Sequence, residues 1–322
     1  SGFVVAAATG AGWLRGAAVA WADVLYTAGR RTQLEQRAVI DARGPEALAA
    51  LEALARGDAA PGLIRGSGRR GARVGVLFTG QGSQRAGMGA GLHGRDPVFT
   101  AAFAEVCAAI DPWLTRPLAP VVLGQVADAE AIDRTELTQP GLFALEVALY
   151  RRWQAWGLAP VALIGHSLGE LSAACVAGVM SLADAARVVA ARGRLMQAMR
   201  SDGASAAVAA DEAEVRGLLR AGVDVAGLAG PGQTVISGDA AAVEALLAEL
   251  AGRGRRVRRL AVSHAFHSHH MDPMLAEYRA LLASVELRPP TLPIYSTRTG
   301  RLAAGELTDP EYWVRQAREA VR

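Results

Sequence analysis

The feature that most constrains this chain is a short apolar run, Pro160-Val-Ala-Leu-Ile164, that flows into Gly165-His166-Ser167-Leu168-Gly169 and then into a long apolar helical pattern. A continuous apolar run of that length suits a strand buried on both faces of a parallel sheet. Between a strand and a helix, G-x-S-x-G makes a turn too tight for larger residues. The turn lifts the Ser hydroxyl to the carboxyl end of the sheet and aims the next amide, that of Leu168, at the same space. A carbonyl placed there meets a nucleophile and an oxyanion donor together. The same order recurs upstream: Arg73-Val-Gly-Val-Leu-Phe78 reads as a strand, runs into Thr79-Gly-Gln-Gly-Ser-Gln84, and is followed by helical patterns over Phe99–Ile110 and Gln139–Trp156. Repeated strand–turn–helix units predict a parallel α/β sheet.

Between residues 203 and 262 the pattern changes. Strands are expected over Ala204–Ala209, Val223–Leu228, Thr234–Ser237 and Val257–Val262, with helices over Asp211–Arg220 and Ala240–Ala251. That βαββαβ order predicts a ferredoxin-like insert. A helix over Pro273–Ala283, a Pro-rich loop and a closing segment at Glu311–Gln316 follow. Ahead of the main body, Gln36–Asp41 reads as a strand and Pro45–Arg56 as a helix, and the Gly- and Arg-rich stretch 61–73 punctuates the chain. The fold expected is therefore α/β. It has an α/β-hydrolase-like, parallel-sheet large subdomain (73–202 and 263–322), a ferredoxin-like small subdomain (203–262) and a small leading α/β module (1–72).

Composition narrows the function. The chain has 322 residues, and its 34 basic residues are all Arg against 31 acidic ones, a net charge of +3. So small an imbalance argues against a nucleic-acid binder. The one basic cluster, Arg253, Arg255, Arg256, Arg258 and Arg259, lacks interleaved aromatics and reads as a solvated strand edge. Cys107 and Cys175 stand apart in apolar surroundings, which argues for core packing in a reducing, cytoplasmic setting. No membrane span or signal peptide is expected. The chain starts at Ser1 without Met and stops at Arg322, so both ends are expected to be cuts in a longer polypeptide.

A Ser nucleophile needs a base, and His titrates closest to neutral pH. Of six His, His166 lies in the turn and His93 stands alone as structural or exposed, whereas His264, His267, His269 and His270 crowd together. The base is expected within this cluster. The segment departs from metallohydrolase ligand patterns, and no C-x-x-C or H-E-x-x-H is present, so no metal is expected. Without Lys, Gly80-Gln81-Gly82-Ser83-Gln84 is not a P-loop; it is an oxyanion-facing turn or a tight corner.

Four motifs in register, F-T-G-Q-G-S-Q (78–84), G-H-S-L-G-E (165–170), A-R-G-R-L-M-Q (191–197) and H-A-F-H-S (264–268), resemble the malonyl-CoA:acyl-carrier-protein acyltransferases, and specifically the acyltransferase domain of a type I polyketide synthase. The resemblance covers 73–322 and implies that 1–72 is the linker to a preceding ketosynthase domain. It implies Ser167 as the acylated nucleophile, His267 as its general base, and the amides of Leu168 and Gln81 as oxyanion donors. Arg192 would hold the malonyl carboxylate, its planar fork suiting a bidentate partner. Gln316 would lie near the catalytic His, although this chain has Gln-Ala-Arg where many relatives have Asn-Leu-Arg, and His166 would border the pocket. No Asp stands out as a third triad member, so the resemblance is to a Ser–His dyad with its ring oriented by a backbone or amide oxygen. His264 and Phe266 would set extender choice, since Phe266 is bulky where relatives that take methylmalonyl have Ser. Malonyl-CoA and a carrier protein bearing phosphopantetheine are the implied partners, with no metal or redox cofactor. A serine esterase or thioesterase, and a docking domain with a decayed site, are the rival readings.

Overall fold

A computed structural model of the chain describes residues 11–12, 14–15, 20–30, 35–42, 44–68, 73–260, 262 and 264–322. Residues 69–72 of the expected boundary stretch, and residue 261 of the strand expected over Val257–Val262, lie outside them. The chain divides into two compact units, Ser1–Arg73 and Val74–Arg322.

In the first unit, α1 (Trp21–Gly29) precedes β1 (Gln36–Ile40), α2 (Gly44–Arg56) and β2 (Leu63–Ser67). Helix α2 buries Ala47, Ala50, Ala53 and Leu54 at helical spacing. Strand β2 corrects the reading of 61–73 as punctuation alone. Its residues pair antiparallel with β1, Gln36 opposite Ser67. Arg65 leaves the strand to donate to the carbonyls of Gly57 at 2.8 Å and Ala53 at 3.4 Å, at the end of α2. The Arg–Gly composition that resembles a breaker supplies a ladder and a helix-end partner instead.

The second unit begins with β3 (Gly75–Phe78), then α3 (Pro97–Ile110), α4 (Leu118–Val122), α5 (Thr135–Ala155), β4 (Ala162–Gly165), α6 (Leu168–Val176) and α7 (Leu182–Gln197). It continues through β5 (Gly203–Val208), α8 (Glu212–Leu218), β6 (Val223–Gly230), β7 (Gln233–Asp239), α9 (Ala240–Gly252) and β8 (Val257–Arg259). It closes with α10 (Leu275–Leu282), β9 (Ile294–Ser296), β10 (Arg301–Leu302) and α11 (Pro310–Arg318).

The larger sheet has the order β10-β9-β4-β3. Strands β3, β4 and β9 are parallel and β10 is antiparallel. The register sets the site: Phe78 lies opposite Gly165, so both strands end level and their following turns leave from one edge. The His166 amide extends that ladder by donating to the Phe78 carbonyl at 2.9 Å. The smaller sheet, β6-β7-β5-β8, is antiparallel throughout, with the element order strand, helix, strand, strand, helix, strand. Its core is Ala206, Val208, Val215, Val225, Ile236, Val243, Leu246 and Leu250.

Several bounds differ from expectation. Helix α5 starts at Thr135, not Gln139, with Pro140 inside it. Pro140 falls in the second turn, where it supplies no N–H to the Glu136 carbonyl. The helix expected over Pro273–Ala283 is a 3-10 turn over His269–Met274 followed by α10. Strands β9 and β10 fall where a Pro-rich loop was expected. A three-residue run carries no periodicity, and the partner of β9 is β4, far away in sequence.

Two close approaches shape the site, one at the turn and one between α7 and α5. A Cβ on Gly169 would stand 2.4 Å from the Phe78 carbonyl oxygen and 2.6 Å from that of Thr79. At Gly193 a Cβ would stand 3.0 Å from the Thr135 carbonyl oxygen, so this Gly lets α7 lie against the start of α5. Gly169→Ala is therefore expected to destabilise the unit by about 3 kcal/mol or more, since backbone rather than a side chain must yield. Gly252→Ala, with nothing within 4 Å, is the control. Urea midpoints check this, and equal midpoints for the two variants would contradict it.

Candidate active site

Ser167 stands between β4 and α6 with φ +52° and ψ −105°. Among the described residues only two non-glycine residues have positive φ, Ser167 at +52° and His267 at +55°. Strain of this kind persists only where surrounding structure over-determines it, and it concentrates at functional sites. The two residues, 100 apart in sequence, meet: Ser167 Oγ lies 2.8 Å from His267 Nε2.

The tautomer follows from the other ring nitrogen. His267 Nδ1 lies 2.8 Å from the Glu319 carbonyl oxygen, which only accepts. Nδ1 therefore carries the proton and Nε2 presents its lone pair to the Ser hydroxyl. The expected backbone orienter is the Glu319 carbonyl, just beyond α11. Burial pushes His267 down to about 3, with the Arg192 guanidinium as the next cause. The ring is thus a neutral base at neutral pH.

Arg192 is buried on α7. Its Nη2 donates to Ser167 Oγ at 3.0 Å and its Nη1 to Gln139 Oε1 at 2.8 Å. Its Nε has no hydrogen-bond partner. Burial lowers its pKa, partly countered by Tyr278 and Glu170. Among the described residues no carboxylate ion-pairs with it, and a buried guanidinium in that state is costly. The site therefore favours a carboxylate ligand beside the Ser oxygen.

The Leu168 amide opens α6 and so has no intrahelical acceptor. Gln81 lies in the turn after β3, and its side chain lies 3.4 Å from both Thr135 Oγ1 and Gln139 Nε2. Gly80 is the close approach here: a Cβ would stand 2.5 Å from His166 Nδ1. His166 is exposed beside this turn. Gln316 donates to the carbonyl of Ser167, the residue that meets His267, at 2.7 Å and to Glu170 Oε2 at 3.3 Å, while the Glu319 carbonyl is what holds the imidazole. His264 is buried, its ring centroid 5.7 Å from that of half-buried Phe266. Burial lowers the His264 pKa, and bonds to the backbone of Met199 and Gln197, at the end of α7, oppose this. His93 packs on Phe103 at 6.1 Å between centroids, and the basic cluster is a solvated edge where Arg253, Arg255 and Arg259 pair with Glu249, Glu214 and Glu244.

Three residues were missed in the sequence. Gln139 holds Arg192. Glu170 is buried, raised in pKa by that burial, and gathers Thr297 Oγ1 at 2.6 Å, the Tyr312 hydroxyl and Gln316. Glu146, pushed up to about 7 by burial, receives Thr79 Oγ1 at 2.9 Å and Ser172 Oγ at 2.6 Å, so it ties the Gln81 turn to the nucleophile helix. Nothing local marks Gln139 or Glu146, since α5 also carries Thr135, Thr138 and Arg151 and polarity alone does not single them out.

A lowered base pKa means that the base form persists into acid. Acylation of Ser167 by an activated ester is expected to stay level as pH falls through the ordinary imidazole value of 6.5 and to drop only towards about 3. Rates from about pH 8 to about pH 5 check this, and an acid limb centred near 6.5 would contradict it.

A family model described as the acyl transferase domain matches residues 76–322. Polyketide synthase GfsA of Streptomyces halstedii is 48% identical over 310 residues, which is 94% of this chain and 4% of that protein. The chain thus spans a small part of the relatives it matches. The solved acyltransferase domain from the second module of the salinomycin polyketide synthase is 48% identical, with TM-score 0.82, covering 91% of this chain and 69% of that one. Malonyl-CoA:acyl carrier protein transacylase from Xanthomonas oryzae pv. oryzae is 36% identical, with TM-score 0.70, covering 77% of this chain and 80% of that one.

Proposed function

The chain belongs to the acyl transferase domain family and is an acyltransferase, and on that footing we propose that it carries a malonyl group from malonyl-CoA to the phosphopantetheine thiol of an acyl carrier protein through an ester on Ser167. The observation that carries the reading is the buried Arg192 guanidinium, without a carboxylate partner among the described residues and 3.0 Å from the hydroxyl that His267 is placed to deprotonate.

In this mechanism His267 Nε2 takes the Ser167 proton as Oγ attacks the thioester carbonyl. The Leu168 and Gln81 amides receive the oxyanion. Collapse breaks the C–S bond, and the departing CoA sulfur takes the proton back from His267. The carrier thiol then gives its proton to Nε2 and attacks the Ser ester, and Ser167 leaves reprotonated. Each step forms an imidazolium beside Arg192, whose positive charge opposes it. A malonyl carboxylate on Arg192 cancels that opposition, so the substrate raises the basicity of its own catalyst. Acetyl groups bring no such compensation. The steps as written call on no metal or redox cofactor.

Phe266 beside His264 narrows the space for an α-branch, and one methyl is worth about 1–3 kcal/mol in such a pocket. We read the larger sheet as an α/β-hydrolase-like catalytic subdomain and the smaller as ferredoxin-like, with 1–72 a linker from a ketosynthase domain in a polyketide synthase. A cytoplasmic setting suits thioester substrates and the free thiols of Cys107 and Cys175. No described helix is long and apolar enough to cross a membrane.

Incubation with malonyl-CoA is expected to add one malonyl group to the intact mass, to leave Ser167→Ala unlabelled, and to yield malonyl carrier protein on chase. Free malonate without transfer would instead favour a hydrolase. Arg192→Ala is expected to slow malonyl loading by about 10- to 100-fold while costing acetyl loading less; equal losses would remove its carboxylate role. Phe266→Ser is expected to raise methylmalonyl relative to malonyl loading in a competition read by mass, and an unchanged ratio would place selectivity elsewhere.

A further inference from the structure

We propose that Asp239, His269 and His270 form a binding site for a borderline divalent transition-metal ion of the zinc, cobalt or nickel class. Asp239 ends β7, and the two imidazoles open the 3-10 turn that follows the His267 loop. Each residue offers one ligand atom, and the three atoms lie within 4.8 Å of one another. His270 Nε2 and His269 Nε2 stand 2.8 and 3.5 Å from the same oxygen, Asp239 Oδ1. Bonds of about 2.0–2.2 Å in a tetrahedron put neighbouring ligand atoms roughly 3.3 Å apart, so small shifts admit an ion.

The outer partners fit as well. His269 Nδ1 lies 3.1 Å from Asp224 Oδ2, which also accepts the His269 amide at 2.8 Å. That carboxylate fixes the proton on Nδ1 and turns Nε2 towards Asp239, an arrangement that orients metal-bound imidazoles. A lone pair facing a carboxylate calls for a cation between them, a proton or a metal. His270 binds through Nε2, its one partnered ring atom, and its Nδ1 is buried without a partner, so here the outer support comes from His269 alone. The side chains of His269 and Asp239 are 34% and 40% exposed, which leaves an entry path and room for water ligands. Arg200 Nη2 stands 3.5 Å from Asp239 Oδ1 as a competing cation, but it is held at 2.5 and 2.8 Å by both oxygens of Asp202 and keeps that partner when an ion takes Asp239. Two neutral imidazoles and one carboxylate suit this class of metal better than Mg2+ or Ca2+. The ligands come from β7 and from a distant loop, so no local motif announces them. A bound ion would pin the smaller sheet to the turn two residues beyond the proposed base. This inference does not rest on the malonyl reading.

Titration of the metal-free chain with Co2+ tests it. The expected result is uptake of one equivalent with ligand-field absorption, shifted imidazole resonances of His269 and His270, and a raised melting temperature. His269→Asn and Asp239→Asn are expected to abolish uptake, and Asp224→Asn to weaken it about 10- to 100-fold. Absence of uptake, uptake that survives Asp239→Asn, or shifts confined to other imidazoles would overturn the site. Should the variants fail to fold, the resonances of the unaltered chain decide.

Discussion

The structure depends on keeping one positive charge in a dry place. Arg192 lies in the core with Gln139 on one nitrogen and the Ser167 hydroxyl on another. A desolvated guanidinium is tolerable only with directed partners. Much of the surrounding packing supplies them. Gly193 lets α7 lie against the start of α5, which carries Gln139. The same charge depresses His267, after burial the largest cause, and so keeps the ring neutral. One guanidinium thus sets the protonation state of the base and the kind of ligand the site favours.

Around that charge the backbone is held in conformations that side chains rarely accept. Ser167 and His267 both have positive φ. For Ser167 the restraint is visible: level strand ends at Phe78 and Gly165, glycines at 165 and 169 that allow near contact, and Gln316 holding the Ser167 carbonyl. Behind it, buried Glu170 gathers Tyr312, Thr297 and Gln316, tying α6 to α11 and to the turn after β9. His267 is held through Glu319, just past α11. Residues 310–319 therefore support the nucleophile and the base at once.

The sequence shows chemistry most clearly where it is local. G-H-S-L-G after an apolar strand locates the strained turn that carries Ser167 because that turn needs those glycines within five residues. The crowded His run narrows the imidazole that meets Ser167 to a few positions. The smaller sheet is legible because each of its elements carries its own periodicity. Gln139 and Glu146 are not legible, since they stand among other polar residues of α5 and nothing local announces their partners. For Gln316, nearness to the His in a motif does not reveal that its amide will face the Ser167 carbonyl.

By itself the sequence determines the turn that exposes Ser167, the alternation that builds two sheets, and a supply of imidazoles and guanidiniums without Lys. Tertiary structure alone decides which imidazole meets the hydroxyl, which carbonyl fixes its tautomer and which Arg loses its water. Those outcomes depend on contacts across 25 and 100 residues, and on a backbone carbonyl, at Glu319, that every residue type carries alike. A one-dimensional pattern records side chains and spacing. It does not record which main-chain atom folding brings to a ring nitrogen.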